Sequence, residues 1–293
     1  MSRPTFGEQR LLAHNRTVPE RLLFRLMGAA DPAHYLHWRY LECFLDTLPA
    51  FFPRRVLDAG CGRGDYSFYL ARKYPKATVL GVDINENLIA RNRHTAMSLK
   101  LPNLRFEVAD LALARFADPF DLVISIDVLE HIESQAAALA NLCAGLTSGG
   151  VAFFHMPTIR ERPVPFHRWL GGFRAWAERE HVARERTAAE LIDMVWGHLE
   201  VLIARRTFGY FTGEMATSLF ALPYAHTPLN RVMQGLLAPV CRLLTLADPW
   251  EIETVRYAVA ILARRRGGPQ SQSAAPPRHE APARASRPRT ETA

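Results

Sequence analysis

Apolar and polar positions alternate in different ways along the 293-residue chain. Between residues 55 and 155, short runs apolar at nearly every position alternate with segments of helical period. The runs at 55–58, 78–83, 104–109, 121–126 and 151–155 read as strands covered on both faces. The segments 66–74, 87–99 and 133–146 read as the helices between them. Further on, Thr187-Ala188-Ala189-Glu190 has the spacing of a capping box and opens a helix over 187–197. Runs at 199–208 and 254–263 then predict strands six and seven. Ahead of the first strand, Leu22, Leu23, Leu26 and Met27 predict a helix over 19–27. Asp31-Pro32 supplies a cap and a first-turn proline for a second, aromatic-rich helix over 34–48.

This alternation predicts an α/β fold with a doubly wound, parallel, Rossmann-like sheet of seven strands. Its expected plan has four parts. A helical cap occupies 1–50, and the sheet domain occupies 51–208 and 251–263. An apolar helical insertion at 209–250 separates strands six and seven, and a basic tail without apolar periodicity follows from 264 to 293. Within the insertion, Leu229, Val232, Met233, Leu236, Leu237, Val240, Leu243 and Leu244 form a broad stripe over 229–246, kinked at Pro239. Packing against the domain or a second copy is one reading of that stripe. Contact with a membrane surface or a lipid-like acceptor is the other.

The strongest local signal is Val56-Leu57-Asp58-Ala59-Gly60-Cys61-Gly62-Arg63-Gly64. An apolar run ends in an acid, and three glycines follow at alternate positions. A strand that turns this sharply into a helix needs residues without Cβ. Glycines there also let a ligand lie against backbone. A nucleotide-hydrolysing loop would end Gly-Lys-Ser/Thr, whereas this one continues Gly64-Asp65-Tyr66. A dinucleotide loop would carry its third glycine one place later. The acid before the loop suits a ligand with a cationic end better than a phosphate.

Composition narrows the picture. The formal charge of +7 is concentrated in the tail, whose seven arginines and two glutamates leave residues 1–263 at +2. That near-neutral core argues against nucleic acid as a partner. Cys43, Cys61, Cys143 and Cys241 form no CxxC pair, so no metal or disulfide framework is expected and a cytoplasmic setting, with peripheral membrane contact as an option, fits best. No apolar stretch reaches the length of a membrane span.

Taken together, the loop and four later motifs resemble the class I S-adenosylmethionine-dependent methyltransferases. These are Gly81-Val82-Asp83-Ile84, Val108-Ala109-Asp110-Leu111, the run 120–132 containing Ser125-Ile126-Asp127 and Leu129-Glu130-His131, and Leu146-Thr147-Ser148-Gly149-Gly150. The run 120–132 is closest to the branch that includes ubiquinone-pathway enzymes. The resemblance covers about residues 50–157. It implies S-adenosyl-L-methionine as cofactor. Asp58, Gly60, Cys61 and Gly62 would hold the methionine end, Asp83 the ribose, and Ile84, Asp110 and Leu111 the adenine. Ser125, Ile126 and Asp127 would wall the methyl. A helix cap is the plain alternative for each aspartate.

A base is needed only if the acceptor must lose a proton. His131 and His155 are the expected catalytic candidates, with Glu130, His37, His167 and Tyr210 behind them. The aromatic and apolar flanking segments suggest a small hydrophobic or lipid-like acceptor, with O-methylation favoured. Arg160, Arg162, His167 and Arg168 are candidates for an anionic head group. A non-catalytic scaffold on the same fold is the alternative, and an NAD-dependent dehydrogenase ranks below it.

Overall fold

A computed structural model describes residues 6–7, 32–48, 50–159, 184–221, 230–251 and 256–267. The expected helix at 19–27, the Arg160–Arg168 cluster and most of the basic tail lie outside these residues. Helix α1 (Pro32–Leu45) precedes an alternating core. That core runs β1 (Arg55–Ala59), α2 (Asp65–Lys73), β2 (Thr78–Asp83), α3 (Glu86–Ser98), β3 (Leu104–Val108), β4 (Phe120–Ile126), α4 (Gln135–Ala144) and β5 (Leu146–Pro157). Then follow α5 (Ala188–Trp196), β6 (Glu200–Gly209), α6 (Met215–Ala221), α7 (Asn230–Ala247) and β7 (Arg256–Arg264).

Local chemistry accounts for the boundaries. Gly64, in the left-handed region at φ 77°, turns β1 into α2. Asp65 in the first turn of α2 and Arg72 and Lys73 in its last complement the helix dipole. Asn85 caps α3 by accepting from the amides of Asn87 and Leu88, both at 3.1 Å. The capping box opening α5 is present: Thr187 Oγ1 accepts from the Glu190 amide at 3.2 Å, and the Thr187 amide donates to Glu190 Oε2 at 2.8 Å.

The seven strands form one sheet in the order β3-β2-β1-β4-β5-β7-β6. Pairs among β1 to β5 are parallel. The doubly wound seven-stranded sheet expected from the alternation is present, and it departs from parallel pairing at β7, which is antiparallel to both β5 and β6. The chain leaves β6 at the cofactor end, passes through α6 and α7, and re-enters the sheet from that same end. Hydrophobic period carries no strand direction, so this reversal is invisible to it. The turn expected at 147–150 is absorbed into β5, with a register shift between Phe120 and Leu122 on β4.

Two apolar layers enclose the sheet. On one face Leu41, Phe44, Phe68, Leu70, Ile89 and Phe106 join helices α1 to α3 to it. On the other, Leu139, Leu142, Leu191 and Val195 of α4 and α5 pack over Leu57, Val123 and Phe154. Helices α6 and α7 share a smaller cluster around Ala216 and Cys241. Val240, Leu243 and Leu246 of α7 stay exposed, as does Trp250 at 82%.

Candidate active site

Four backbone donors of the loop between β1 and α2 are already engaged. The amides of Gly60 and Cys61 both donate to Val82 O at 2.8 Å, and that of Gly64 to Cys61 O at 2.7 Å. The Gly62 amide donates to Asp83 Oδ2 at 2.7 Å. A phosphate cradle would need those donors, so the loop is shaped for a ligand that approaches without taking them. Gly60, Gly62 and Gly64 all have positive φ. A Cβ on Gly60 would stand 2.4 Å from the Val128 methyls, while nothing lies within 4 Å of the corresponding position on Gly62. The loop is therefore tight against the turn after β4 on one side and open on the other.

The expected cofactor residues lie at or just past the carboxyl ends of β1, β2, β3 and β4. Asp58 is buried at the end of β1 and accepts from Ser67 Oγ at 2.5 Å. Burial pushes its carboxyl up to about 7, against the lowering effect of Ser67. Burial likewise raises the Cys61 thiol well above its usual range, which leaves Cys61 to act through its backbone. Asp83, half-buried at the end of β2, is braced by the Gly62 amide and, at 2.9 Å, by the Asn85 amide. Ile84 is 69% exposed, an apolar surface with no protein cover. Asp110 Oδ1 accepts from the Ala112 amide at 2.8 Å, which holds the turn after β3, and Leu111 beside it is buried. Ser125 and Ile126 are buried in β4. Ser125 Oγ has no partner among the described residues.

Asp127 directly follows β4 with φ 51°, a left-handed conformation that a side chain adopts at a cost. Its backbone amide donates to His155 O at 3.0 Å. His155 Nδ1 stands 2.6 Å from Asp127 Oδ1, and His155 Nε2 stands 3.0 Å from Thr207 Oγ1 on β6. His37, from α1, places Nε2 3.4 Å from Asp127 Oδ2, and the two imidazole rings are 4.2 Å apart. His155 is 1% exposed and His37 5%. The Asp127 side chain keeps 36% of its surface open. Burial alone would raise the Asp127 carboxyl, but the His37 and His155 rings outweigh it and hold it below the usual range.

The two candidate bases therefore differ. His155 has both ring nitrogens engaged and acts on its surroundings through Asp127. His131 is at the surface, 3.9 Å from Glu130 Oε1, apart from the buried cluster. Glu130 is buried, and burial together with nearby Asp127 pushes its carboxyl well up. Among the described residues its Oε2 has no partner. Sequence reasoning placed His37 behind His131 and His155 and missed Thr207 and Ser67. Nothing in the period of α1 marks His37, which meets Asp127 only through the fold. A separate cavity of about 450 Å3, lined by Phe116, Ser148 and Arg265 among others, opens at the amino-terminal end of the sheet, opposite these groups.

The fold and this geometry can be set beside known proteins. A family model described as a methyltransferase domain matches residues 54–198. Residues 54–198 are a class I S-adenosylmethionine-dependent methyltransferase domain. The trans-aconitate 2-methyltransferase of Methylobacterium nodulans is 33% identical over 142 residues, which is 47% of this chain and 53% of that protein. The enzyme of the same name from Variovorax paradoxus is 35% identical over 157 residues, 50% of this chain and 58% of that protein. The chain thus spans little more than half the length of these curated relatives. Among solved structures, an O-methyltransferase from a polyketide synthase of Brevibacillus brevis, in complex with S-adenosyl-L-homocysteine, has a TM-score of 0.57 at 17% identity. It covers 90% of this chain and 81% of that one. A likeness at that identity shows the shared fold. The residues of the methyltransferase domain fit the cofactor: a loop that no Cβ could enter at Gly60, an open face at Gly62, and an exposed apolar surface at Ile84 beside the braced Asp83.

Proposed function

We propose that the protein transfers the methyl group of S-adenosylmethionine to an oxygen of a small acceptor, a carboxylic acid before a lipid-like molecule. The observation that carries this reading is the His37–Asp127–His155 cluster. It stands at the carboxyl ends of β4 and β5, where open α/β sheets bind ligands. It combines partly exposed polar atoms with buried walls, the means to orient a polar acceptor. The names of the curated relatives point the same way, toward an organic acid.

The bound cofactor supplies a methyl on a sulfonium, already a good leaving group. The protein's residues then have positioning to do. Asp83 would accept from the ribose hydroxyls with the lone pairs left by the Gly62 and Asn85 amides. Asp58 would face the ammonium of the methionine end. Ile84 would cover one face of the adenine, with Asp110 and Leu111 at its edge. Ser125, Ile126 and Asp127 would form the wall beside the methyl. Helix α1, which brings His37, would keep water from the acceptor side.

A second reading keeps a lipid-like acceptor and a peripheral membrane contact. It is favoured by exposed Val240, Leu243, Leu246 and Trp250 on and after α7. Among the described residues no helix is long and apolar enough to cross a membrane. The deciding experiment incubates the full chain with methyl-labelled S-adenosylmethionine and small acids or cell extract, then separates aqueous and organic phases. Label released by mild alkali from an aqueous product supports a carboxylate ester. Label in the organic phase supports the lipid. Cofactor binding with no labelled product from any extract would overturn both and leave a non-catalytic, scaffolding role.

A further inference from the structure

We propose that His37, Asp127 and His155 form a binding site for one divalent transition-metal ion, which would hold the oxygen acceptor beside the methyl group. The site is argued from its own geometry; only the role given to the ion rests on the function proposed above.

Three separate parts of the fold, α1, the residue after β4, and β5, bring one ligand atom each to within 4.8 Å of one another. An ion with tetrahedral bonds of about 2.1 Å sets its ligands about 3.4 Å apart. His37 Nε2 and Asp127 Oδ2 already stand at 3.4 Å. His155 Nδ1 and Asp127 Oδ1, at 2.6 Å, share a proton in place of an ion and must open by roughly 0.8 Å. A turn of the half-exposed Asp127 carboxylate provides that opening. The proton count balances: His155 gives up the proton on Nδ1 and takes one on Nε2, which then donates to Thr207 Oγ1 at 3.0 Å. His37 makes the same exchange between its two nitrogens. A ligating histidine whose second nitrogen is held by a fixed partner is the usual outer shell of a metal site.

Two further features favour a cation. Among the described residues the two groups within ion-pair distance of Asp127 are imidazoles, which in their neutral forms leave the cluster with one negative charge. Glu130, in the next turn of chain, is nine-tenths buried with Oε2 unpartnered, a second carboxylate in the same wall. Two imidazoles and a carboxylate suit zinc, manganese or iron(II) rather than magnesium or calcium, which prefer all-oxygen shells. Open coordination positions would accept a carboxylate or hydroxyl oxygen of the acceptor.

The test titrates the full chain with zinc ions by calorimetry, and with cobalt(II) followed by visible absorption. One ion per chain is expected, with bands typical of nitrogen and oxygen ligands. His37→Gln, which keeps a donor toward Asp127, and His155→Gln should each weaken binding at least tenfold, with circular dichroism confirming the fold. Absence of saturable binding to the unaltered chain would overturn the proposal. So would equal binding by the variants, or a thiolate charge-transfer band that places the ion on a cysteine. Labelling activity that survives chelation, in a chain that binds no metal, would sink the metal site and leave methyl transfer standing. Metal binding without any labelled product would do the reverse.

Discussion

The two sides of the cleft are built by different means. The side expected to hold the cofactor is made mostly of backbone close in sequence: Gly60, Cys61 and Gly62 engage Val82 and Asp83 some twenty residues on. The side proposed to hold the acceptor is made of side chains brought together over long separations. Asp127 and His155 are 28 residues apart, and His155 and Thr207 are 52 apart. Tyr40, which donates to Asp248 Oδ2, lies 208 residues from it. Arg256 completes that second network, with Nη1 3.4 Å from Asp248 Oδ2 and Nη2 donating to the carbonyls of Asp248 and Glu251 at 2.7 and 2.9 Å. Glu251 in turn accepts from the amides of Phe211 and Thr212 at 2.7 and 2.8 Å. Fixing donor geometry needs one rigid turn. Fixing the acceptor side needs α1, β6, α7 and β7 to arrive together, so its positions can vary while the donor loop stays the same.

The sharpest way to break this contrast is Arg256→Met. Asp248 is fully buried, and the substitution removes the guanidinium that stands 3.4 Å from its carboxylate. Loss of about 3–5 kcal/mol of stability is expected in urea unfolding, as for other broken buried pairs. Partial unfolding confined to the α6–α7 region, with S-adenosylhomocysteine still bound, would show the two sides to be separable. A single transition that takes the donor loop with it would show them to be one unit.

Gly60→Ala attacks the other side. The added Cβ meets Val128 at 2.4 Å and sits at φ 77°. Overpacking and the left-handed conformation together predict about 2–4 kcal/mol of destabilisation. Calorimetry should show at least a hundredfold loss of S-adenosylhomocysteine affinity. Binding within a few-fold of the unaltered protein would mean the loop shifts without cost and is not the rigid part described here.

The gentlest test is pH. Asp58 has a folded value of about 7 against 3.8 for the free side chain, raised chiefly by burial. The folded state therefore holds a proton that the unfolded chain gives up, and stability should decline as pH rises from about 4 to 7. A cationic ammonium beside Asp58 favours the ionised form, so cofactor affinity should rise over the same interval and level off above it. Asp58→Asn should flatten both slopes. Affinity that falls between pH 5 and 7 would remove Asp58 from the methionine end.

What the amino-acid order reveals follows the same division. Strands apolar at every position, glycines forced by a left-handed turn and the Thr187–Glu190 box act within a few residues, and the structure places each where the local pattern does. The direction of β7 is set by where α6 and α7 deliver the chain, which no periodicity encodes. His37 looks like any polar residue on an aromatic helix until the sheet brings Asp127 beneath it. Arg256 gave an overlooked hint, since a charged residue at the start of a strand whose next seven residues are buried must find a partner.

The antiparallel β7 has a consequence for the order in which the molecule comes into being. Its residues fill the slot between β5 and β6, and every one from Arg256 to Ala263 is buried. On the ribosome, β1 to β5 can pair as they emerge, because each neighbour is already present. Strand β6 then waits without a ladder partner while some fifty further residues are made. The acceptor side closes only when β7 slides in between, so any chain released before that point carries a folded donor loop and two unpaired strand edges ready to pair with other molecules.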